Sequence, residues 1–175
     1  MDFDQVLNVN LKAAVRLTHF CLPKLIKNEG FIVNVASGAG LSPIPGMCAY
    51  STSKFGLVGF SEGLRAELRG TVGVSTICPA FVKTDIMKNS LVSSRLAPEE
   101  KKDGQEKFDQ LVRSTGADPG KIADIIIKSI KKGKRLVPLG FVTHFFYTLR
   151  KFLPRLVDRL NAYLYRDMVA KKFLK

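Results

Sequence analysis

The chain has 175 residues, of which 46% are hydrophobic and 25% are charged, as expected for a folded domain rather than a disordered segment. Residues 1–120 carry 14 basic and 12 acidic side chains, whereas residues 121–175 carry 14 basic and 3 acidic ones. Three cysteines cannot all pair, no Cys/His cluster has zinc spacing, and no apolar run is long enough to span a bilayer. These features exclude a disulfide scaffold, predict no metal site and indicate a cytoplasmic protein.

Helical and strand patterns alternate along the chain. Apolar residues at helical spacing predict helices over residues 2–27, 49–69 and 119–132, and short β-branched runs predict strands over 31–36, 72–78 and 135–138. This alternation predicts an α/β fold whose parallel sheet is covered by helices on both faces. In such sheets the chemistry lies in loops at the carboxyl ends of the strands, which here begin at Ser37 and Pro79.

Three residues in and after the first of these loops form a candidate catalytic set. Tyr50 and Lys54 are four residues apart at the start of a helix, so both project from one face, and Ser37 ends the preceding strand. A neighbouring ammonium lowers the pKa of a tyrosine, which can then exchange a proton with an alcohol or a carbonyl group. A solvated Tyr-Lys pair is the alternative interpretation of this spacing taken alone.

The combination of strand, Ser37, Gly/Pro-rich loop and Tyr50-Ser-Thr-Ser-Lys54 resembles the short-chain dehydrogenase/reductase family over about residues 3–138. The resemblance implies a partial Rossmann-like doubly wound parallel sheet. It also implies that Tyr50 is the general acid/base, that Lys54 lowers its pKa and binds the nicotinamide ribose, and that Ser37 polarises the substrate oxygen. Asn10 would be the fourth catalytic residue and would hold a water that links Lys54 to solvent.

The resemblance further implies a nicotinamide cofactor, NAD or NADP, and an alcohol or ketone substrate. The loop from Pro79 would grip the nicotinamide through the backbone of Val82 and the hydroxyl of Thr84, although Ala80 stands where the family usually has glycine. The helices at residues 2–27 and 49–69 would form a homo-oligomer interface. A substrate lid is expected over about residues 85–118, where apolar side chains suit a hydrophobic or lipid-like substrate.

The Gly-rich turn that would bind the cofactor's pyrophosphate does not occur in the 175 residues. Residues 1–138 are therefore interpreted as the C-terminal part of a Rossmann-type domain, whether as a fragment, a truncated gene model or a functional short variant. The alternative to an oxidoreductase is a truncated, cofactor-free remnant that acts as a membrane-surface or protein-binding module.

Residues 139–175 form a basic tail predicted to be helical in two pieces, with the break at Pro154. The first interpretation is that its apolar face packs on the domain and its basic face is solvated. The second is that the tail lies peripherally on an anionic membrane surface. Nucleic acid binding is held unlikely, because only the charge supports it.

Overall fold

A three-stranded parallel sheet organises the chain, and the computed structural model describes residues 2–84, 106 and 109–170, with side chains up to residue 167. The strands are β1 (Phe31–Val35), β2 (Gly73–Pro79) and β3 (Leu136–Leu139), in the order β1-β2-β3. Asn34 lies opposite Thr76, which in turn lies opposite Leu136. The predicted α/β fold class is therefore confirmed.

Strand β2 lies in the middle of the sheet and is buried on both faces. Its residues from Val74 to Cys78 are at most 4% exposed, although successive side chains point to opposite faces. Helices must therefore cover both faces, as the near-continuous apolar pattern of a parallel strand predicts.

The N-terminal helical stretch was predicted as one helix, and the structure divides it into three pieces. Helix α1 (Phe3–Leu7) continues into a π-helical turn (Asn8–Lys12) and then into α2 (Ala13–Lys27). Asp2 caps the start of α1, because its side chain accepts a hydrogen bond of 3.0 Å from the Asp4 backbone amide. The π-helical turn is visible in the bond from the Ala13 amide to the Asn8 carbonyl, five residues apart.

Helix α3 (Cys48–Glu67) supplies much of the core that holds the sheet. Its side chains Leu57 and Val58 pack with Ala36, Leu41 and Cys78 around the carboxyl ends of β1 and β2. A second cluster, at the other end of the strands, combines Ile32, Leu64, Val72 and Val74. Helix α4 (Pro119–Lys131), which the Asp118 side chain caps, also contacts β1 and β2.

The tail forms helices α5 (Phe141–Phe152) and α6 (Pro154–Ala170), which confirms the predicted break at Pro154. The expectation that its apolar face packs on the domain holds only in part for α5, where Tyr147 packs against the core and Phe146 and Leu149 are half-buried. Thr143 is buried, whereas Phe141 is 82% exposed and Phe152 is 70% exposed. The division at residue 138 stays a prediction, and most of the predicted lid lies outside the described residues.

Arg150 anchors α5 to the rest of the chain. Its Nη1 atom donates a 2.8 Å hydrogen bond to the Leu41 carbonyl oxygen, and its guanidinium lies 4.7 Å from the centroid of the Phe55 ring. Both contacts join the tail to the loop after β1 and to α3.

We predict that Arg150→Ala lowers the free energy of unfolding by about 1–2 kcal/mol, because it removes a charge-assisted hydrogen bond and a cation–π contact. Urea denaturation monitored by circular dichroism measures the change. Lys151→Ala is the matched control, since Lys151 is exposed and its ammonium lies 5.7 Å from the ring centroid of Phe152 in the same helix rather than over a residue of α3, and it should change stability by less than about 0.5 kcal/mol. Equal effects of the two substitutions would contradict the anchoring role.

Candidate active site

Ser37 lies where the chain leaves β1, and the local backbone fixes its side chain. Its Oγ accepts a 3.1 Å hydrogen bond from the Ala39 amide and so caps the short 3-10 turn Gly38–Gly40. Tyr50 is the third residue of α3, and the Ser37 side chain interacts with its hydroxyl group. The structure thus brings together two of the residues that the sequence analysis singled out.

Lys54 lies one helical turn beyond Tyr50 and points toward the same place. Its Nζ donates a 3.3 Å hydrogen bond to the Val35 carbonyl, at the end of β1, and lies 5.8 Å from the centroid of the Tyr50 ring. The Lys54 side chain therefore reaches from α3 to the carboxyl end of β1. Both Tyr50 and Lys54 are half-buried.

Burial controls the protonation of this pair. Desolvation raises the pKa of Tyr50 above its ordinary value of 10.0, and the interaction with Ser37 only partly opposes it. Burial also lowers the pKa of Lys54, against a smaller opposing effect of Cys78. The expected lowering of the Tyr50 pKa by Lys54 is not what this structure shows, because desolvation is the larger effect and the ammonium lies over the ring.

Asn10 lies in the π-helical turn and connects to the catalytic helix through a serine. Its Nδ2 donates a 3.1 Å hydrogen bond to Ser53 Oγ, and that hydroxyl donates a 2.7 Å bond to the Tyr50 carbonyl. Ser53 is fully buried. The sequence analysis missed Ser53, although its place three residues after Tyr50 is the spacing at which a serine bonds back to its own helix.

The loop from Pro79 to Thr84 is tied to a later segment by a short parallel bridge. The Lys83 amide donates to the Ala117 carbonyl at 2.9 Å, and the Ala117 amide donates to the Phe81 carbonyl at 2.8 Å. The backbone N–H and C=O groups of Val82 take no part in these two hydrogen bonds. The Thr84 side chain is exposed. The residues expected to hold a nicotinamide carboxamide thus lie on a loop whose central part is hydrogen-bonded to Ala117.

Two glycines permit the close contacts that hold the catalytic loop. A Cβ on Gly40 would lie 2.7 Å from the Lys54 carbonyl oxygen, and one on Gly38 would lie 2.8 Å from Thr143 Oγ1 of α5. The loop is therefore held between the backbone of α3 and the tail. The tail contact was not predicted, since nothing in the local sequence relates Thr143 to a loop a hundred residues earlier.

Two other polar residues near the site have structural roles. Asn34 Nδ2 donates a 2.8 Å hydrogen bond to Ser61 Oγ in the buried contact between β1 and α3. Cys78 lies beside Ser37 and Lys54, and burial raises the pKa of its thiol to about 12, so it stays protonated at neutral pH. Neither group is placed to act on a substrate.

Comparison with known proteins gives a consistent result. A family model described as "short chain dehydrogenase" matches residues 1–94. The chain belongs to the short-chain dehydrogenase/reductase family. It is 35% identical, over 88% of its length, to the probable oxidoreductase EphD of Mycobacterium tuberculosis, and 34% identical, over 94% of its length, to human 17-beta-hydroxysteroid dehydrogenase 13.

Solved structures of the short-chain dehydrogenase/reductase family also resemble the chain. A short-chain dehydrogenase from Burkholderia phymatum in complex with NAD matches 89% of the chain with a TM-score of 0.76 and 27% identity. The chain covers 59% of that structure, 49% of the human relative and 27% of the mycobacterial one. It therefore spans about half or less of the curated relatives' own lengths.

We predict that Gly40→Ala lowers the free energy of unfolding by about 1–3 kcal/mol, because the new methyl group collides with backbone atoms that cannot rotate away. Gly63→Ala is the matched control in α3. A Cβ there meets nothing within 4 Å, so the substitution should stabilise the helix by up to about 1 kcal/mol. Chemical denaturation measures both, and a Gly40→Ala protein as stable as the wild type would show that the loop is not tightly held.

Proposed function

We propose that this chain carries the catalytic residues of a nicotinamide-dependent oxidoreductase that interconverts an alcohol and a ketone. The convergence of Ser37, Tyr50 and Lys54 at the carboxyl end of β1 carries the proposal. Family membership and the NAD complex of a related structure support it.

The residues of the site fit the nicotinamide end of such a cofactor. Lys54 offers an ammonium donor for ribose hydroxyls, and the loop containing Val82 and Thr84 offers backbone and hydroxyl groups for the carboxamide. The sequence contains no Gly-rich turn for the pyrophosphate, so these 175 residues supply only part of the binding groups. The choice between NAD and NADP stays open.

Each catalytic side chain has a defined task in ketone reduction. A bound reduced nicotinamide supplies the hydride that the carbonyl carbon accepts. The Tyr50 hydroxyl donates a proton to the carbonyl oxygen, and Ser37 holds that oxygen by a hydrogen bond. Lys54 then stabilises the Tyr50 phenolate left behind, and a water held by the Asn10 side-chain oxygen would connect Lys54 to solvent.

A hydrophobic or lipid-like substrate is the expected class. One relative is named as a hydroxysteroid dehydrogenase, and apolar side chains are frequent in the sequence predicted to form the lid.

We predict that Tyr50→Phe lowers turnover of long-chain or steroid ketones by about 10²- to 10⁴-fold, because the proton donor is lost. Thr52→Val is the matched control, since Thr52 is an exposed neighbour in the same helix. Because the pKa of Tyr50 is raised, the hydroxyl stays protonated at neutral pH, so reduction should be independent of pH there and decline only above pH 10. Alcohol oxidation, which needs the phenolate, should instead rise with pH.

NADH and NADPH are titrated first, by nicotinamide fluorescence, to choose the cofactor for these assays. Binding of neither cofactor would favour the second candidate, a cofactor-free module, for which the missing Gly-rich turn is the supporting observation. Cofactor binding with full activity in Tyr50→Phe would instead contradict the catalytic assignment.

Homo-oligomerisation through the helices at residues 2–27 and 49–69 is part of the proposal. Phe20 is 83% exposed, and Val9 and Leu17 are also exposed on the same helical stretch. A second subunit would cover these apolar side chains.

We predict that Phe20→Glu shifts the chain toward the monomer, because a carboxylate would be desolvated in the interface. Sedimentation velocity measures the change. Lys128→Glu, an exposed change of charge on α4 and outside the proposed interface, is the control and should leave the oligomer intact. An unchanged sedimentation coefficient in Phe20→Glu would place the interface elsewhere.

A further inference from the structure

Helix α5 turns one side toward the domain and leaves three phenylalanines on the opposite side exposed. Thr143, Tyr147 and Arg150 share one face by helical spacing and contact the loop after β1, the core and α3. Phe141, Phe145 and Phe152 share the other face and are 82%, 47% and 70% exposed. Phe146 and Leu149 are half-buried, so only part of the apolar surface of this helix faces the domain.

Helix α6 extends the exposed apolar surface. Leu156, Leu160 and Leu164 recur at intervals of four residues and are 42%, 36% and 41% exposed, and Leu153 between the two helices is 52% exposed. Only Val157 among the described side chains of α6 is buried. We call the three phenylalanines of α5 and these four leucines the tail face.

The two helices of the tail face also carry exposed basic side chains. Lys151, Arg155, Arg159 and Arg166 are exposed on the same two helices, which contain only two acidic residues, Asp158 and Asp167. Long basic side chains beside an apolar stripe can reach the head groups of lipids while their stems stay on the apolar surface. A second copy of this equally basic surface would meet electrostatic repulsion, which disfavours self-association through the tail face.

We propose that the tail face binds an anionic lipid surface, with α5 and α6 lying in the plane of the interface. Exposed aromatic and leucine side chains supply the apolar contact, and the surrounding cations supply attraction to the lipid head groups. None of the described helices is long and apolar enough to cross a membrane. The contact would lie on the side of α5 that faces away from the loop after β1.

The experiment uses a tryptophan as a local reporter, because the chain contains none. Phe152→Trp places it on the tail face, and Ile127→Trp places an exposed control reporter on α4, outside the tail face and the proposed subunit interface. Vesicles of phosphatidylcholine with phosphatidylglycerol should shift the emission of Trp to the blue in Phe152→Trp, and brominated lipid chains should quench it. Ile127→Trp should show neither effect.

The affinity is then measured by vesicle flotation with serine variants. Phe141→Ser with Phe152→Ser should weaken binding by about tenfold or more, because two inserted rings are lost. Ile127→Ser, which changes an exposed side chain of α4, is the control and should bind as the wild type does. Arg155→Gln and Arg159→Gln should each weaken binding on the order of fivefold, and high salt should weaken it further.

Several outcomes would overturn the proposal. They are an absence of wild-type binding to the anionic vesicles at low salt, equal quenching of both tryptophan reporters, and an unchanged affinity in the double serine variant. If that variant instead alters the sedimentation coefficient and not vesicle binding, the tail face is an interface between proteins. Circular dichroism spectra that superimpose on the wild type show that each variant is folded.

Discussion

The close approach of the loop after β1 to the backbone of α3 is the constraint on which the site depends. With glycine at position 40, the loop can pack directly on the carbonyl of Lys54, since a methyl group there would lie only 2.7 Å from that oxygen. The contact brings Ser37, at the start of the loop, to the side of α3 that carries Tyr50. The same contact buries Cys78 in the core cluster at the carboxyl ends of β1 and β2. The geometry of the candidate site and the packing of the core therefore depend on the same contacts.

Desolvation is the electrostatic consequence of this packing. The burial that places Tyr50 beside Ser37 also favours the neutral forms of Tyr50 and Lys54. A neutral tyrosine is suited to donate a proton to a carbonyl oxygen, whereas it must first lose its proton to act as a base toward an alcohol. Lys54 keeps its hydrogen bond to the end of β1, so the pair stays in place whichever form is populated.

Local patterns were sufficient to predict the strands and the convergence of Ser37, Tyr50 and Lys54, because their information lies within a few residues. The run from Phe31 to Val35 forms a strand whichever neighbour it pairs with, and Tyr50 and Lys54 share a face because helical geometry requires it. The π-helical turn around Asn10 and the bond to Ser53 could not be predicted, since they depend on how two distant helices meet. The predicted direction of the Tyr50 pKa shift was wrong for a related reason. The spacing of residues along the chain indicates which charges are close but not how deeply they are buried.

The orientation of α5 shows how one contact determines another. Thr143 and Arg150 contact the loop after β1, so Phe141, Phe145 and Phe152 on the opposite side of the helix stay exposed. Exposure of large aromatic side chains is unfavourable in water, at roughly 25 cal/mol per Å² of apolar surface. An anionic lipid interface would remove that surface from water without disturbing Arg150, whereas rotating the helix inward would break the anchor to Leu41. The proposed lipid contact is therefore compatible with the contact to the loop after β1, because the two use opposite sides of α5.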